Sequence, residues 1–229
     1  MKMRIAILSL TILCLALSAP AFAGQIYNDG PTDGNTNGFF IDGPGGPFGQ
    51  TISDGFFATG SGTPGRIDFA EWTLGGAPTT VTWALSGIHE FGSDLGSGTA
   101  SGAGLSSTFL FTNSFGYSIY NTHIVSLPGA GSMTAGNQYF LTLGGANDSQ
   151  GSQFDAWDLN NGAATCFFAV GGVEQGGCGA EGESFTIGGC CGPPIPEPSS
   201  IMLFGSGGIV LFSSGIFGLV GALRRRLNR

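Results

Sequence analysis

Residues 80–86 read Thr-Val-Thr-Trp-Ala-Leu-Ser, so that Val81, Trp83 and Leu85 alternate with smaller or more polar side chains. Because successive side chains of a β-strand point to opposite faces, this period of two predicts a half-buried strand. Residues 138–143, Gln-Tyr-Phe-Leu-Thr-Leu, repeat the pattern. The two stretches indicate a protein built from sheets that each cover one side of a core.

Similar runs recur between clusters of Gly, Asn, Asp, Ser and Pro, which are turn-forming residues. Strands are predicted at 38–42, 51–59, 67–74, 80–86, 106–112, 117–125, 138–143, 164–170 and 184–187. This spacing predicts an all-β domain over 24–187, an antiparallel β-sandwich of jelly-roll type. Within 67–74 the apolar side chains change face by one residue, which predicts a β-bulge near Phe69.

The N-terminal residues have the pattern of a secretory signal peptide. Basic residues precede an apolar stretch, and Ala21-Phe22-Ala23 then provides a cleavage pattern that signal peptidase would cut before Gly24. We therefore assign 1–23 to a signal peptide, which predicts export across the inner membrane.

The C-terminal residues predict a membrane anchor. The uncharged run 201–223 would span about 34 Å as a helix, enough for a hydrocarbon core of ~30 Å. Arg224, Arg225 and Arg226 follow it, as in a stop-transfer signal with a cytoplasmic end. We expect a single transmembrane helix and an Arg-rich tail within 199–229, after a Cys- and Pro-rich linker at 188–198.

The triplet Pro196-Glu197-Pro198, the apolar run and the terminal arginines occur in a fixed order. This arrangement resembles the PEP-CTERM sorting signal of bacterial envelope proteins, and the resemblance covers 196–229. It implies recognition by a membrane-embedded exosortase, cleavage near the triplet, and a Gram-negative host that makes exopolysaccharide. A plain C-terminal anchor is the alternative.

The charge of the exported part is one-sided. All 15 acidic residues lie between Asp29 and Glu197, and Arg66 is the only lysine or arginine in that interval. Nucleic acids and anionic lipid surfaces are bound through Lys and Arg, so this composition excludes them as expected partners.

Cleavage of the signal peptide leaves Cys166, Cys178, Cys190 and Cys191. An even number of cysteines in an oxidising envelope predicts two disulfides. A bridge between the adjacent Cys190 and Cys191 would be strained, so we expect Cys166 and Cys178 each to pair with one of them or with each other. A zinc site is the alternative, but the spacing contains no C-x-x-C.

Asp33-Gly34-Asn35-Thr36-Asn37-Gly38 matches the first half of a calcium loop, with oxygen ligands on Asp33, Asn35 and Asn37. Pro44 stands where such a loop carries its bidentate glutamate. An ion-free turn is therefore the alternative, and calcium would need further carboxylates, with Asp29, Asp42, Asp155 and Asp158 as the candidates. No other cofactor is predicted.

No catalytic motif emerges, and we expect a protein without enzymatic activity. His89-Glu90 lacks the second histidine of a zinc protease, and no nucleophile elbow occurs. A glycosidase needs two opposed carboxylates. Four acids could supply them, although a solvated surface is the simpler interpretation: Glu71, Glu90, Asp155 and Asp158.

Trp157 lies between acidic residues, where its ring could form an exposed platform for a sugar or, alternatively, pack into the core. The favoured interpretation is an exported surface or matrix protein with a structural role beside exopolysaccharide. A carbohydrate-binding module that uses Trp157 and calcium is the second hypothesis, and a secreted polysaccharide hydrolase is the third.

Overall fold

The computed structural model describes residues 24–34, 37–152, 154–160, 162–179 and 182–190. These residues form fourteen β-strands and one short 3-10 helix, Gly102–Gly104. In chain order the strands are β1 (Gln25–Asn28), β2 (Gly38–Phe40), β3 (Gln50–Phe57), β4 (Pro64–Thr73), β5 (Pro78–Ser86), β6 (Gly96–Ser101), β7 (Leu105–Thr112), β8 (Ser118–Ile124), β9 (Gln138–Asp148), β10 (Ala156–Asn160), β11 (Thr165–Val170), β12 (Val173–Gly177), β13 (Gly182–Glu183) and β14 (Phe185–Gly189).

The strands form two antiparallel sheets, which confirms the predicted β-sandwich. The six-stranded sheet has the order β12-β11-β3-β9-β5-β6. The eight-stranded sheet contains β1-β14-β4-β10-β13, with β2 beside β10 and with β8 between β4 and β7.

The main core lies between the sheets and is formed by the alternating side chains that the sequence indicates. Val81, Trp83 and Leu85 of β5 are all buried, as are Leu141 and Leu143 of β9. They contact apolar side chains of the eight-stranded sheet, among them Ile67, Phe69, Trp157, Phe185 and Ile187.

Strand β4 is buried on both faces, and the predicted bulge at Phe69 is wrong. Its pairing with β8 runs without a break from Ile67 to Thr73. Phe69 belongs to the main core, whereas Trp72 belongs to a second buried cluster with Ile119 and Ala156 on the outer face of the sheet. The apolar side chains change face in the sequence because both faces of this strand are covered.

All nine predicted strands are present, and five further strands escaped the sequence analysis: β1, β6, β10, β12 and β13. Strand β6 is rich in glycine and serine, so it carries no apolar alternation. Strand β10 is buried along its whole length and therefore shows no period of two. Strand β14 ends at Gly189, so the domain includes two residues that we had assigned to the linker.

The predicted transmembrane run 201–223 lies outside the described residues. Within the part of the chain that the structure describes, no helix is long and apolar enough to cross a membrane.

Candidate functional site

A pocket of about 370 Å³ lies on the outer face of the eight-stranded sheet and includes Arg66, the only arginine between Asp29 and Glu197. We call it the polar pocket. Three adjacent strands contribute to it, because Asp68 of β4 pairs with Thr186 of β14, and Ala70 of β4 pairs with Asn121 of β8. Arg66, Thr32 and Ser184 are further polar residues of its lining.

Asp68 is the centre of the hydrogen-bond network in the polar pocket. Its Oδ1 lies 2.6 Å from Nδ1 of His123, and its Oδ2 lies 2.8 Å from a guanidinium nitrogen of Arg66. The Arg66 side chain is 45% exposed, so its remaining N–H donors are available to a ligand. When Nδ1 of His123 donates to Asp68, Nε2 is the ring atom left for a ligand.

The segment Gly30-Pro31-Thr32 forms one wall of the polar pocket. The amide of Gly30 donates to the side chain of Asn28 at 2.9 Å, and the amides of Asp33 and Gly34 donate to the carboxylate of Asp158. The bond of Gly30 is local to the turn, whereas the two bonds to buried Asp158 hold the end of this segment against the sheet.

The polar pocket offers planar and charged hydrogen-bonding groups beside an apolar part of its lining, which Phe69, Ala70 and Phe185 provide. Arg, Asn and Asp side chains can each bind two neighbouring hydroxyl groups, which suits a sugar.

A second concavity, of about 330 Å³, lies on the outer face of the six-stranded sheet. We call it the hydroxyl groove. Its polar side chains are uncharged and come from four strands: Thr51, Thr82, Ser97, Thr99 and Thr142. Strand β5 contributes Ala84 at its floor. Trp83 also lines the groove, and none of the lining residues is charged.

The predicted sugar platform at Trp157 is wrong. Trp157 is fully buried between the sheets, and its Nε1 donates to the carbonyl oxygen of Ser184 at 3.0 Å. Its ring contacts those of Phe69 and Phe185, with centroids 6.2 and 5.6 Å away. Strand alternation places this ring in the core, so no face remains for a ligand.

Accessible aromatic rings occur elsewhere, at one end of the sandwich. Phe40 and Phe48 stack with centroids 4.0 Å apart, and Phe154 contacts both rings edge-on. Phe48 and Phe154 are 41% and 37% exposed. We call these three residues the phenylalanine patch.

The structure describes only part of the predicted calcium loop. Asn35 and Thr36 lie outside the described residues. The side-chain oxygen of Asn37 accepts a hydrogen bond from the amide of Gly38 at 2.9 Å, as in an ion-free turn. Calcium binding by Asp33, Asn35 and Asn37 stays a prediction.

Asp158 is one of the further carboxylates suggested as calcium ligands. It accepts hydrogen bonds from Nε1 of Trp72, the amide of Gly34 and the hydroxyl of Ser184, at 2.6, 3.1 and 3.4 Å. Burial raises the pKa of Asp158 to about 6, and the hydrogen bonds from Trp72 and Gly34 oppose this rise. These contacts assign Asp158 to loop anchoring.

Cys166 and Cys178 form a disulfide with a Cα–Cα distance of 5.2 Å. This confirms a disulfide and selects one of the pairings left open by the sequence. Cys190 lies at the end of β14, where its amide donates to the carbonyl oxygen of Thr63 at 2.7 Å. Cys191 lies outside the described residues, so the second predicted disulfide stays a prediction.

Most processing residues also lie outside the described part of the chain: Ala21, Ala23, Pro196, Glu197, Pro198, Arg224, Arg225 and Arg226. Gly24 is described and directly precedes β1, where its carbonyl oxygen accepts a hydrogen bond from the amide of Gly189.

The sequence analysis missed the polar pocket. Arg66 and Asp68 are two residues apart and share a face of β4, but the predicted strand began at residue 67, so the sequence offered only part of this signal. Nothing in the sequence placed His123 beside them, because that contact depends on the register between β4 and β8.

No family model matches the chain, and no curated protein matches it. The chain is similar to a solved structure described as "The unique CBM3- of Hungateiclostridium clariflavum", with a TM-score of 0.27 and 14% sequence identity. The match covers 68% of this chain and 96% of that one. At this TM-score the likeness carries no argument about fold or function.

Proposed function

We propose that this chain is an exported surface or matrix protein of a bacterial envelope, and that its β-sandwich binds extracellular polysaccharide through the polar pocket. The observation that carries this proposal is an open concavity lined by Arg66, Asp68 and Asn121, in which Asp68 pairs with Arg66 and also contacts His123 on the neighbouring strand. The protein would attach to the polymer without altering it.

The chemistry of the polar pocket supports a saccharide ligand. Hydroxyl groups of a sugar both donate and accept hydrogen bonds, and Arg66, Asp68 and Asn121 supply both kinds of partner. Arg66 also favours a sugar that carries a carboxylate, since it is the only arginine in a domain without lysine. The hydroxyl groove is the second candidate surface for a neutral polymer.

The sequence at both ends supports delivery to the envelope. Signal peptidase would cut before Gly24, and an exosortase would recognise the PEP-CTERM signal at 196–229 after the run 201–223 has entered the inner membrane as a helix. We further propose a jelly-roll topology, because consecutive strands pass repeatedly between the two sheets. Cleavage at the tail would release the protein to the cell surface or matrix.

Binding to polysaccharide tests the proposed function. The full-length protein in mild detergent is applied to an array of neutral and acidic glycans and to exopolysaccharide from the producing bacterium. We expect Arg66→Gln to weaken binding at least tenfold, because a charged hydrogen bond contributes about 1.5–3 kcal/mol. Thr112→Val, at the exposed end of strand β7 where Thr112 pairs with Ser118, is the control and should bind as the wild type does.

Each alternative predicts a different result in this experiment. Binding that survives Arg66→Gln but is lost in Thr99→Val would move the site to the hydroxyl groove. Absence of binding to every glycan would favour a purely structural role. Release of reducing ends from the exopolysaccharide would instead identify a hydrolase. Each of these three results would contradict the proposal that the polar pocket binds polysaccharide.

A further inference from the structure

Three carboxylates near the phenylalanine patch, those of Glu71, Asp148 and Asp155, are close enough to influence one another electrostatically. Glu71 of β4 pairs with Trp157 of β10, and Asp155 precedes Trp157 by two residues, which places the two acids diagonally on neighbouring strands. Asp148 ends β9 and begins the turn that leads to β10. Glu71 thus belongs to the eight-stranded sheet, Asp148 to the six-stranded sheet, and Asp155 to the connection between β9 and β10.

The oxygens of these three side chains are buried and largely unsatisfied. Glu71 and Asp155 are fully buried, Asp148 is 3% exposed, and among the described residues neither oxygen of Glu71 or Asp155 has a hydrogen-bond partner. Oδ1 of Asp148 accepts from the amides of Gln150 and Ser152, whereas its Oδ2 has none. Five carboxylate oxygens therefore lack the partners that buried polar groups normally have.

The neighbouring acid Asp42 is also buried, but its carboxylate has hydrogen-bond donors. It accepts hydrogen bonds from the amides of Phe48, Gly49 and Gln50 at 2.6, 3.2 and 2.8 Å. Its role is to hold the loop that carries Phe48, so we leave it out of the ligand set.

No basic side chain compensates the three acids. Arg66 is the only lysine or arginine of the exported part and is paired with Asp68 on the outer face of the sheet. His123 contacts the same aspartate, and Nδ1 of His89 lies near the carbonyl oxygen of Glu90 on an exposed loop. Buried carboxylates without a counter-charge are expensive, so a bound cation or protons must neutralise them.

We propose that Glu71, Asp148 and Asp155 bind a calcium ion that joins the β9–β10 connection to the centre of the eight-stranded sheet. Calcium takes 6–8 oxygen ligands in flexible geometry, and these residues supply five. Magnesium fits less well, since it requires a near-ideal octahedron and retains several waters. The ion would also support the phenylalanine patch, because Phe154 directly precedes Asp155.

Binding requires the carboxylates to rotate toward the ion. As the side chains stand, no group of three or more His, Cys, Asp or Glu residues in the described ranges is arranged to hold a metal ion. Acids of like charge repel one another when no cation lies between them, and Glu71 has three rotatable side-chain bonds.

Protonation is the competing way to neutralise the site. Burial, followed by the charge of Asp155, raises the pKa of Glu71 well above its usual value. The Thr122 hydroxyl beside it opposes this rise. Calcium must therefore displace protons, and its binding should become tighter as pH rises.

Calcium titration tests the proposal on the full-length protein in mild detergent. After treatment with EDTA at pH 8, we expect 1 mM calcium to raise Tm by about 5 °C or more, and magnesium to raise it less. Glu71→Gln preserves the shape of the side chain and removes its charge, so it should abolish the calcium shift while the protein stays folded in EDTA.

Asp33→Asn is the matched control, because it alters the predicted calcium loop and leaves the three buried acids intact. It should retain the full shift. A wild-type Tm that does not respond to calcium at pH 8 would show that protons alone neutralise the acids. A shift that persists in both Glu71→Gln and Asp155→Asn, or that Asp33→Asn abolishes, would place the ion elsewhere. None of these results depends on polysaccharide binding.

Discussion

Nε1 of Trp72 donates a hydrogen bond of 2.6 Å to Oδ1 of Asp158. Both side chains are buried, and the same carboxylate accepts hydrogen bonds from the amides of Asp33 and Gly34. One aspartate thus joins β4, β10 and the N-terminal loop. Because this loop continues from the wall of the polar pocket, the shape of the pocket depends on Asp158.

Removal of this carboxylate should destabilise the domain. Asp158→Ala leaves a buried indole N–H and two backbone amides without their acceptor, which we expect to cost about 3 kcal/mol of unfolding free energy. The corresponding fall in Tm is about 6–12 °C in thermal denaturation. Glu174→Ala on the exposed strand β12 is the control. A loss as small as that of the control would contradict the anchoring role.

Truncation of Trp157 should damage the core and spare the surface. We expect Trp157→Ala to lower the unfolding free energy by about 3–5 kcal/mol, as measured by urea denaturation, because it opens a cavity between the sheets. Trp157→Phe should bind glycans as the wild type does. Phe57→Ala, at a side chain that is 61% exposed, should change stability little. Glycan binding lost in a well-folded Trp157→Phe protein would refute this assignment.

The disulfide should stabilise the fold because it lowers the conformational entropy of the unfolded chain. Cys166 and Cys178 are 12 residues apart, and closing a loop of this size contributes about 3 kcal/mol. We expect the Cys166→Ala/Cys178→Ala variant to have a correspondingly lower urea midpoint. Mass spectrometry of the unreduced protein should show a peptide pair joined through these residues. Free thiols at both positions in protein from the envelope would exclude the bridge.

Stability without divalent cations should fall as pH rises. Burial, followed by the Asp148 and Asp42 carboxylates, raises the pKa of Asp155 to about 8, whereas an unfolded aspartate titrates at ~3.9. Between these values the folded protein holds a proton that the unfolded chain has released, so the unfolding free energy decreases with pH. In EDTA we expect Tm to be at least about 3 °C lower at pH 8 than at pH 5.

Asp155→Asn should reduce this pH dependence, since it removes one of the groups that titrates in that window. The control is Asp94→Asn, because the Ser86 hydroxyl lowers the pKa of Asp94 and its titration ends below the window. A Tm that rises from pH 5 to pH 8 in EDTA would contradict the inferred direction.

Local pattern predicted much of the fold. The alternation in β5 and β9 indicated half-buried strands, and the two sheets cover these residues as expected. Prediction failed where a strand is covered on both sides. In β4 the second apolar cluster around Trp72 looked like a bulge, because a sequence shows the period of a strand but not which of its faces other segments cover.

The sequence by itself determined the strand-rich composition, the cysteines available for a bridge and the shortage of basic residues in the exported part. These properties depend on residue identity and short-range spacing alone. The tertiary structure decided that Trp157 lies in the core, that His123 contacts Asp68 and that Glu71 lies near Asp155 and Asp148. Such contacts join residues distant along the chain, and strand register and sheet packing fix them.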